Sequence, residues 1–150
     1  MRAEFKNEPL TDFSQPQHAA AFQKALDEVR AAFGCTYPLW IDGREVQGGG
    51  TFPSVNPARP DEVLGYFQKA EVAQAEEAIE AASRAFESWK QTPAHQRAEL
   101  LFSAANRMRQ RKHWFSAWMV YEVGKSWAEA DGDTAEAIDF MEFYGREMLR

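Results

Sequence analysis

Glu122-Val-Gly-Lys-Ser-Trp-Ala-Glu129 decides how the chain folds, because it stops one helix and starts another within a few residues. Gly124 stands where a left-handed stop is cheapest. Ser126 with Glu129 three positions later makes a capping box, so a second helix begins almost at once. Before this hinge, Thr92 is placed to cap a helix whose first turn takes Pro93, where the missing N–H costs nothing. Leu101, Ala104, Met108, Phe115 and Met119 then recur near helical spacing and predict one apolar stripe. A helix from Pro93 to Val123 would be about 45 Å long, more than the width of a compact domain of this size. After the hinge, Asp131-Gly-Asp-Thr-Ala-Glu-Ala-Ile-Asp-Phe140 carries the second helix, and no stop signal closes its pattern before Arg150. These rods predict the front of a longer protein.

Upstream, residues 1–15 are polar, contain Pro9 and lack a period, so they read as an arm. Ser14 and Pro16 open a helix with apolar positions Phe22, Leu26, Val29 and Phe33, closed by Gly34. Tyr37–Ile41 and Arg44–Val46 are β-prone and flank Asp42-Gly43, which predicts a type I′ hairpin. Gly48-Gly49-Gly50 reads as a flexible loop, since it lacks both the lysine of a P-loop and the helix of a dinucleotide fingerprint. Thr51–Val55 predicts a strand ended by the turn initiator Asn56-Pro57. Arg59-Pro60-Asp61-Glu62 predicts a second turn, and Val63–Phe67 a further strand. From Glu71 the period becomes helical, with Val72, Ala75, Ile79, Ala82, Phe86 and Trp89 on one stripe and alanines permitting close packing. Strands followed by long helices place the chain in the α/β class.

The 150 residues carry a net charge of −6, which argues against nucleic acid or an anionic membrane as the main partner. The basic run Arg107–Lys112 reads as a solvated helix face. A single cysteine excludes an internal disulfide framework and fits a reducing compartment. No secretory signal pattern and no run near the roughly twenty apolar residues of a membrane span are present, so the expectation is a cytoplasmic protein.

Cys35 follows a helix C-terminus, the unfavourable end of the dipole for a thiolate, and reads as a half-buried thiol rather than a nucleophile. His18, His95 and His113 are far apart with no carboxylate or cysteine at ligand spacing, so no metal site is expected; His113 reads as a helix-surface residue. Glu136 shares a helix face with Phe140 and Phe143, opposite Ile138, Met141, Gly145 and Met148. A helix apolar on both sides belongs between layers. Two readings of Glu136 stand: a solvated or salt-bridged side chain, or a desolvated carboxylate that contacts an ammonium-bearing ligand. Asp131, Asp133 and Asp139 read as cap and surface residues, and Glu142 with Arg146 as an i,i+4 pair.

In order, Trp40-Ile-Asp-Gly-Arg-Glu-Val46, Ser54-Val-Asn-Pro57, Ala85-Phe-Glu-Ser-Trp89, Arg97 to Leu101 and Glu122-Val-Gly-Lys125 resemble the N-terminal part of the aldehyde dehydrogenase superfamily. Phe5-Lys-Asn-Glu-Pro9, Tyr37-Pro-Leu-Trp40, Tyr121 to Trp127 and Glu129-Ala-Asp-Gly-Asp-Thr-Ala-Glu-Ala-Ile-Asp-Phe140 resemble its branch acting on L-glutamate γ-semialdehyde. That branch oxidises the aldehyde derived from 1-pyrroline-5-carboxylate to glutamate with NAD, in proline catabolism. The resemblance implies an α/β fold of which this chain holds the N-terminal segment: a helical arm (1–35), a small β region (36–70) and three long helices forming a layer of an incomplete NAD-binding domain (71–150). It implies a catalytic cysteine, a glutamate base and NAD phosphate contacts, whose motifs none of these residues match, Cys35 included. The expected catalytic and cofactor-binding residues within the chain are therefore none, and the 150 residues alone are expected to be inactive. Glu136 falls where the branch places an acidic residue near the substrate's amino group, so its implied role is substrate contact. The remainder of the dehydrogenase fold and a homo-oligomer, dimer or larger, are the implied protein partners. Two alternatives remain at this point: a non-catalytic helical interaction module, and an aldehyde dehydrogenase with a different substrate.

Overall fold

The computed structural model describes residues 4–150, so the first three residues of the expected arm lie outside it. The elements are α1 (Pro16–Ala31), β1 (Cys35–Tyr37), β2 (Leu39–Ile41), β3 (Arg44–Val46), β4 (Thr51–Asn56), β5 (Arg59–Gln68), α2 (Val72–Trp89), α3 (Ala94–Gln110), α4 (Lys112–Val123) and α5 (Trp127–Glu147). No described helix is long and apolar enough to cross a membrane. The chain divides into two compact units: a helical unit of the described residues to Ala31 plus Pro93–Arg150, and a β-containing unit, Ala32–Thr92. This division groups α2 with the strands and α1 with the later helices.

In the β-containing unit, a three-stranded sheet has the order β1-β5-β4, with β1 parallel and β4 antiparallel to β5, and β2 pairs with β3 as a separate hairpin. Asp42 and Gly43 take φ of 53° and 74°, as the expected tight turn requires. Two expected elements that contain prolines are corrected. Pro38 divides the single strand expected over Tyr37–Ile41, so β1 and β2 join different sheets. Arg59–Glu62 is the start of β5, not a turn, because the Asn56 side chain already closes the reversal by accepting from Ala58 N at 2.9 Å. Pro60 lies in the register irregularity between the Val55↔Val63 and Asn56↔Arg59 pairs, where no ladder N–H is needed.

Helix α2 departs furthest from expectation. Its predicted apolar stripe is uncovered, with Val72 76%, Ile79 67% and Phe86 56% exposed, whereas Ala81 is the residue it buries. Ala81 lies with Ala78 and Ala85 beside Ile41 of the hairpin, and Arg44–Glu77 and Arg84–Asp42 ion pairs flank them. Small side chains mark the packed face here.

The helical unit packs α5 against α3 and α4, and α1 against α4. The single rod expected from Pro93 to Val123 is two helices: Arg111 leaves helical geometry at φ −119° and ψ 23°, so the chain turns and α3 and α4 each meet α5 separately. The region after residue 71 thus holds four helices rather than three. Thr92 does not cap α3, since its hydroxyl donates to Ser88 O at the end of α2. Gly124 adopts φ 73° and ends α4, and Ser126 and Glu129 close the expected capping box of α5. The buried face of α3 is Ala98-Phe102-Ala105, rotated from the predicted Leu101-Ala104-Met108 stripe. Gly145 explains the rotation: a Cβ there would meet the Phe102 ring at 2.6 Å, so glycine admits that ring and the backbones approach closely.

Candidate functional site

Helix α5 carries two chemically different faces. At about 100° per residue, Ala135, Ile138 and Gly145 turn inward and are buried with Ala130, Asp131 and Thr134. The opposite side presents Glu136, Phe140 and Phe143, all exposed. The expectation of a helix covered on both sides is thus corrected, and Glu136 is not desolvated by its aromatic neighbours. Among the described residues the Glu136 side chain makes no hydrogen bond or ion pair, so both carboxylate oxygens keep their acceptor capacity. Phe140 stacks on Tyr144 at 6.0 Å, and Tyr144 meets Phe143 edge-on at 5.4 Å. A carboxylate beside this aromatic row matches an organic ammonium, which donates charge-assisted hydrogen bonds to the one and is attracted by the ring quadrupoles of the other.

The inner side of α5 grips the N-terminal arm, which polar composition alone did not reveal. Asp131 is 1% exposed, not a surface residue: its Oδ2 accepts from Thr11 N and Lys112 Nζ, both at 2.8 Å, and its Oδ1 from Thr11 Oγ1 at 2.7 Å. Lys112 also donates to Pro9 O at 2.9 Å. Burial pushes the Asp131 carboxyl up, but Lys112 and Thr11 outweigh it and hold the group below its ordinary value. Asp139 accepts from Asn7 Nδ2 and Glu8 N at 2.8 and 2.7 Å. Glu8 receives Arg109 Nε at 2.7 Å, and Arg109 also reaches Glu142. Glu142 pairs with Arg146 as expected; burial opposes its charge, yet the two arginines hold its pKa low. Phe5 meets Phe143 edge-on at 5.8 Å, tying the arm to the Glu136 side of the helix.

The basic run is therefore only partly a solvated face, because Arg109 and Lys112 turn in while Arg107 stays out and Arg111 lies over Trp114 at 4.0 Å. His113 is half-buried rather than on the surface; its ring lies 5.5 Å from Phe22, and burial holds its pKa below the ordinary 6.5. His18 Nδ1 lies 3.0 Å from Asp12 O, and no group of three or more metal-ligating side chains occurs among the described residues. Cys35 is exposed, not half-buried. Gly48 N donates to Gln68 Oε1 and Gly49 N to Lys69 O, so these amides of the glycine loop are spent within the fold and do not fit a phosphate.

The Aldehyde dehydrogenase family profile matches residues 40–150, and the chain belongs to that family. It is 48% identical over 149 residues to a 1-pyrroline-5-carboxylate dehydrogenase of Bacillus pumilus, covering 99% of this chain and 29% of that protein. It is 51% identical over 146 residues to the enzyme of that name from Geobacillus thermodenitrificans, covering 97% and 28%. Among solved structures, 1-pyrroline-5-carboxylate dehydrogenase from Thermus with bound NAD superposes with a TM-score of 0.94 at 47% identity, covering 97% of this chain and 28% of that one. The chain thus spans less than a third of the length of these relatives.

Proposed function

We propose that this chain is the N-terminal portion of an NAD-dependent dehydrogenase that oxidises L-glutamate γ-semialdehyde, from 1-pyrroline-5-carboxylate, to L-glutamate. The observation that carries the reading is the likeness of nearly the whole chain to relatives of that name, at about half of all positions identical. The uncovered carboxylate of Glu136 beside Phe140 and Phe143 supports the choice of an aldehyde that bears an ammonium group.

In this reading NAD, the hydride acceptor, together with the cysteine nucleophile and the glutamate that activates water, is held by the remainder of the dehydrogenase fold. No residue of this chain is assigned to the cofactor. What α5 contributes is orientation: Glu136 takes the substrate ammonium, and Phe140 and Phe143 wall the approach. Such fixing of the non-reacting end raises the effective concentration of the aldehyde at the nucleophile. The uncovered stripe of α2 is a surface for the rest of the fold to cover. A cytoplasmic homo-oligomer, dimer or larger, completes the proposal.

The same stripe favours a second reading, a non-catalytic docking module. Both are tested by assaying NAD reduction with glutamate semialdehyde and with propionaldehyde, for the full-length protein and for the isolated 150 residues. The proposal predicts turnover by the full-length protein with preference for glutamate semialdehyde, and none by the isolated chain. Turnover by the isolated chain would overturn the assignment of catalysis to other residues, and an inactive full-length protein would favour the docking module.

A further inference from the structure

The arm grips α5 at widely spaced points, reaching the Glu136 side through Phe143 and leaving the Glu136 carboxylate itself without a partner among the described residues. Asp131 joins three separate stretches of chain at a single buried carboxylate: the arm through Thr11, α4 through Lys112, and its own helix. Asp139, eight residues on, holds the arm backbone at Glu8, and Glu142 reaches the arm through Arg109 and Glu8. Phe5 then props Phe143 edge-on, and the Arg146 guanidinium lies over the Phe5 ring at 5.7 Å. A helix held along such a length cannot rotate about its axis without breaking charge-assisted hydrogen bonds. Rotation is the motion that would swing Glu136 away from a bound ligand, since one residue's turn of the helix moves a side chain by about 100°.

We infer that residues 5–11 act as a splint, with Thr11 and Asp131 as positioning residues that fix the rotation of α5 and so set selectivity for the ammonium-bearing aldehyde through Glu136. This rests on the substrate reading of Glu136 given above. The arm supplies no ligand contact itself; it determines where the carboxylate and Phe143 stand. A polar strap suits that task, because hydrogen bonds to buried carboxylates specify geometry more narrowly than apolar contacts do.

The experiment uses the full-length enzyme with Thr11→Val, Thr11→Ser, Asp131→Asn, Glu136→Gln and the Thr11→Val/Glu136→Gln pair, assayed with glutamate semialdehyde and with propionaldehyde. The splint predicts that Thr11→Val raises KM for glutamate semialdehyde roughly tenfold, the scale of one lost hydrogen bond to a charged group, and leaves KM for propionaldehyde unchanged. Thr11→Ser, which keeps the hydroxyl, restores the wild-type value, and adding Thr11→Val to Glu136→Gln has no further effect on selectivity. Asp131→Asn behaves as Thr11→Val does; if it fails to fold, the threonine series alone decides. Equal changes for both aldehydes, or a Thr11→Val enzyme with wild-type constants while Glu136→Gln is impaired, overturn the splint and leave the role of Glu136 standing. Wild-type constants for Glu136→Gln overturn that role, and the splint's part in selectivity with it.

Discussion

Helices α2 and α5 are both rich in alanine and glutamate and both carry large apolar residues, yet they are used in opposite ways. On α2 the large apolar residues face out and only small ones are packed, whereas α5 buries Ile138 completely and surrounds Asp131 with donors. The difference lies in what meets each helix. Gly145 and the alanines of α3 let α5 come close enough for its backbone and short side chains to form the contact surface. The hairpin beside α2 reaches only the alanine face. Apolar content therefore does not tell which side of a helix is covered; the small residues that permit close approach do.

The sharpest way to break this comparison is at Asp131. Asp131→Ala removes the charge partner of the largely buried Lys112 ammonium, leaving it only the Pro9 carbonyl, and should cost about 3–5 kcal/mol in urea denaturation of the 150-residue chain. Glu28→Ala, which removes the exposed Lys24–Glu28 pair at 3.7 Å, should change stability by less than about 0.5 kcal/mol. Equal effects would mean that the arm is not held as described. Next in size, Ile138→Ala should cost about 2–5 kcal/mol, while Ile79→Ala on α2 should stay within about 0.5 kcal/mol. A large loss at Ile79 would show that its face is covered in the chain itself.

Two glycines of α5 sharpen the point within one helix. Gly145→Ala drives a Cβ into the Phe102 ring and should destabilise by about 1–3 kcal/mol. At Gly132 a Cβ meets nothing within 4 Å, so Gly132→Ala should stabilise by up to about 1 kcal/mol through helix propensity alone. The smallest effect is that of pH. Burial favours the neutral His113 ring, so folding must remove a proton from it below pH 6.5, and stability falls as the pH drops through that value. His113→Leu should flatten that slope. Asp131 is depressed in the folded state, so its contribution is full above 3.8 and is lost as the pH falls below it toward the depressed value. Urea midpoints across the acid range, with Asp131→Asn as the control, measure both.

Several features governed by adjacent residues were legible in the sequence, though not the Thr92 cap or the Arg59–Glu62 turn. Gly124, the Ser126–Glu129 box, Asp42-Gly43 and Asn56-Pro57 each form because neighbouring groups satisfy one another, and each stands where its chemistry predicts. Features that depend on distant partners were not. Thr11 and Asp131 meet across 120 residues of sequence, and nothing periodic in the arm announces it. Arg111 breaks the long rod with an ordinary residue, without the glycine or proline that marks other breaks. Glu136 and its aromatic neighbours were correctly placed on one face, because helix geometry fixes that, but their exposure depends on what packs against them.

The central claim, that the free side of α5 receives the ammonium end of the substrate, is tested most directly by comparing wild type and Glu136→Gln in the full-length enzyme with glutamate semialdehyde. Loss of one charge-assisted contact should raise KM roughly tenfold or more. KM and kcat both equal to wild type would contradict it.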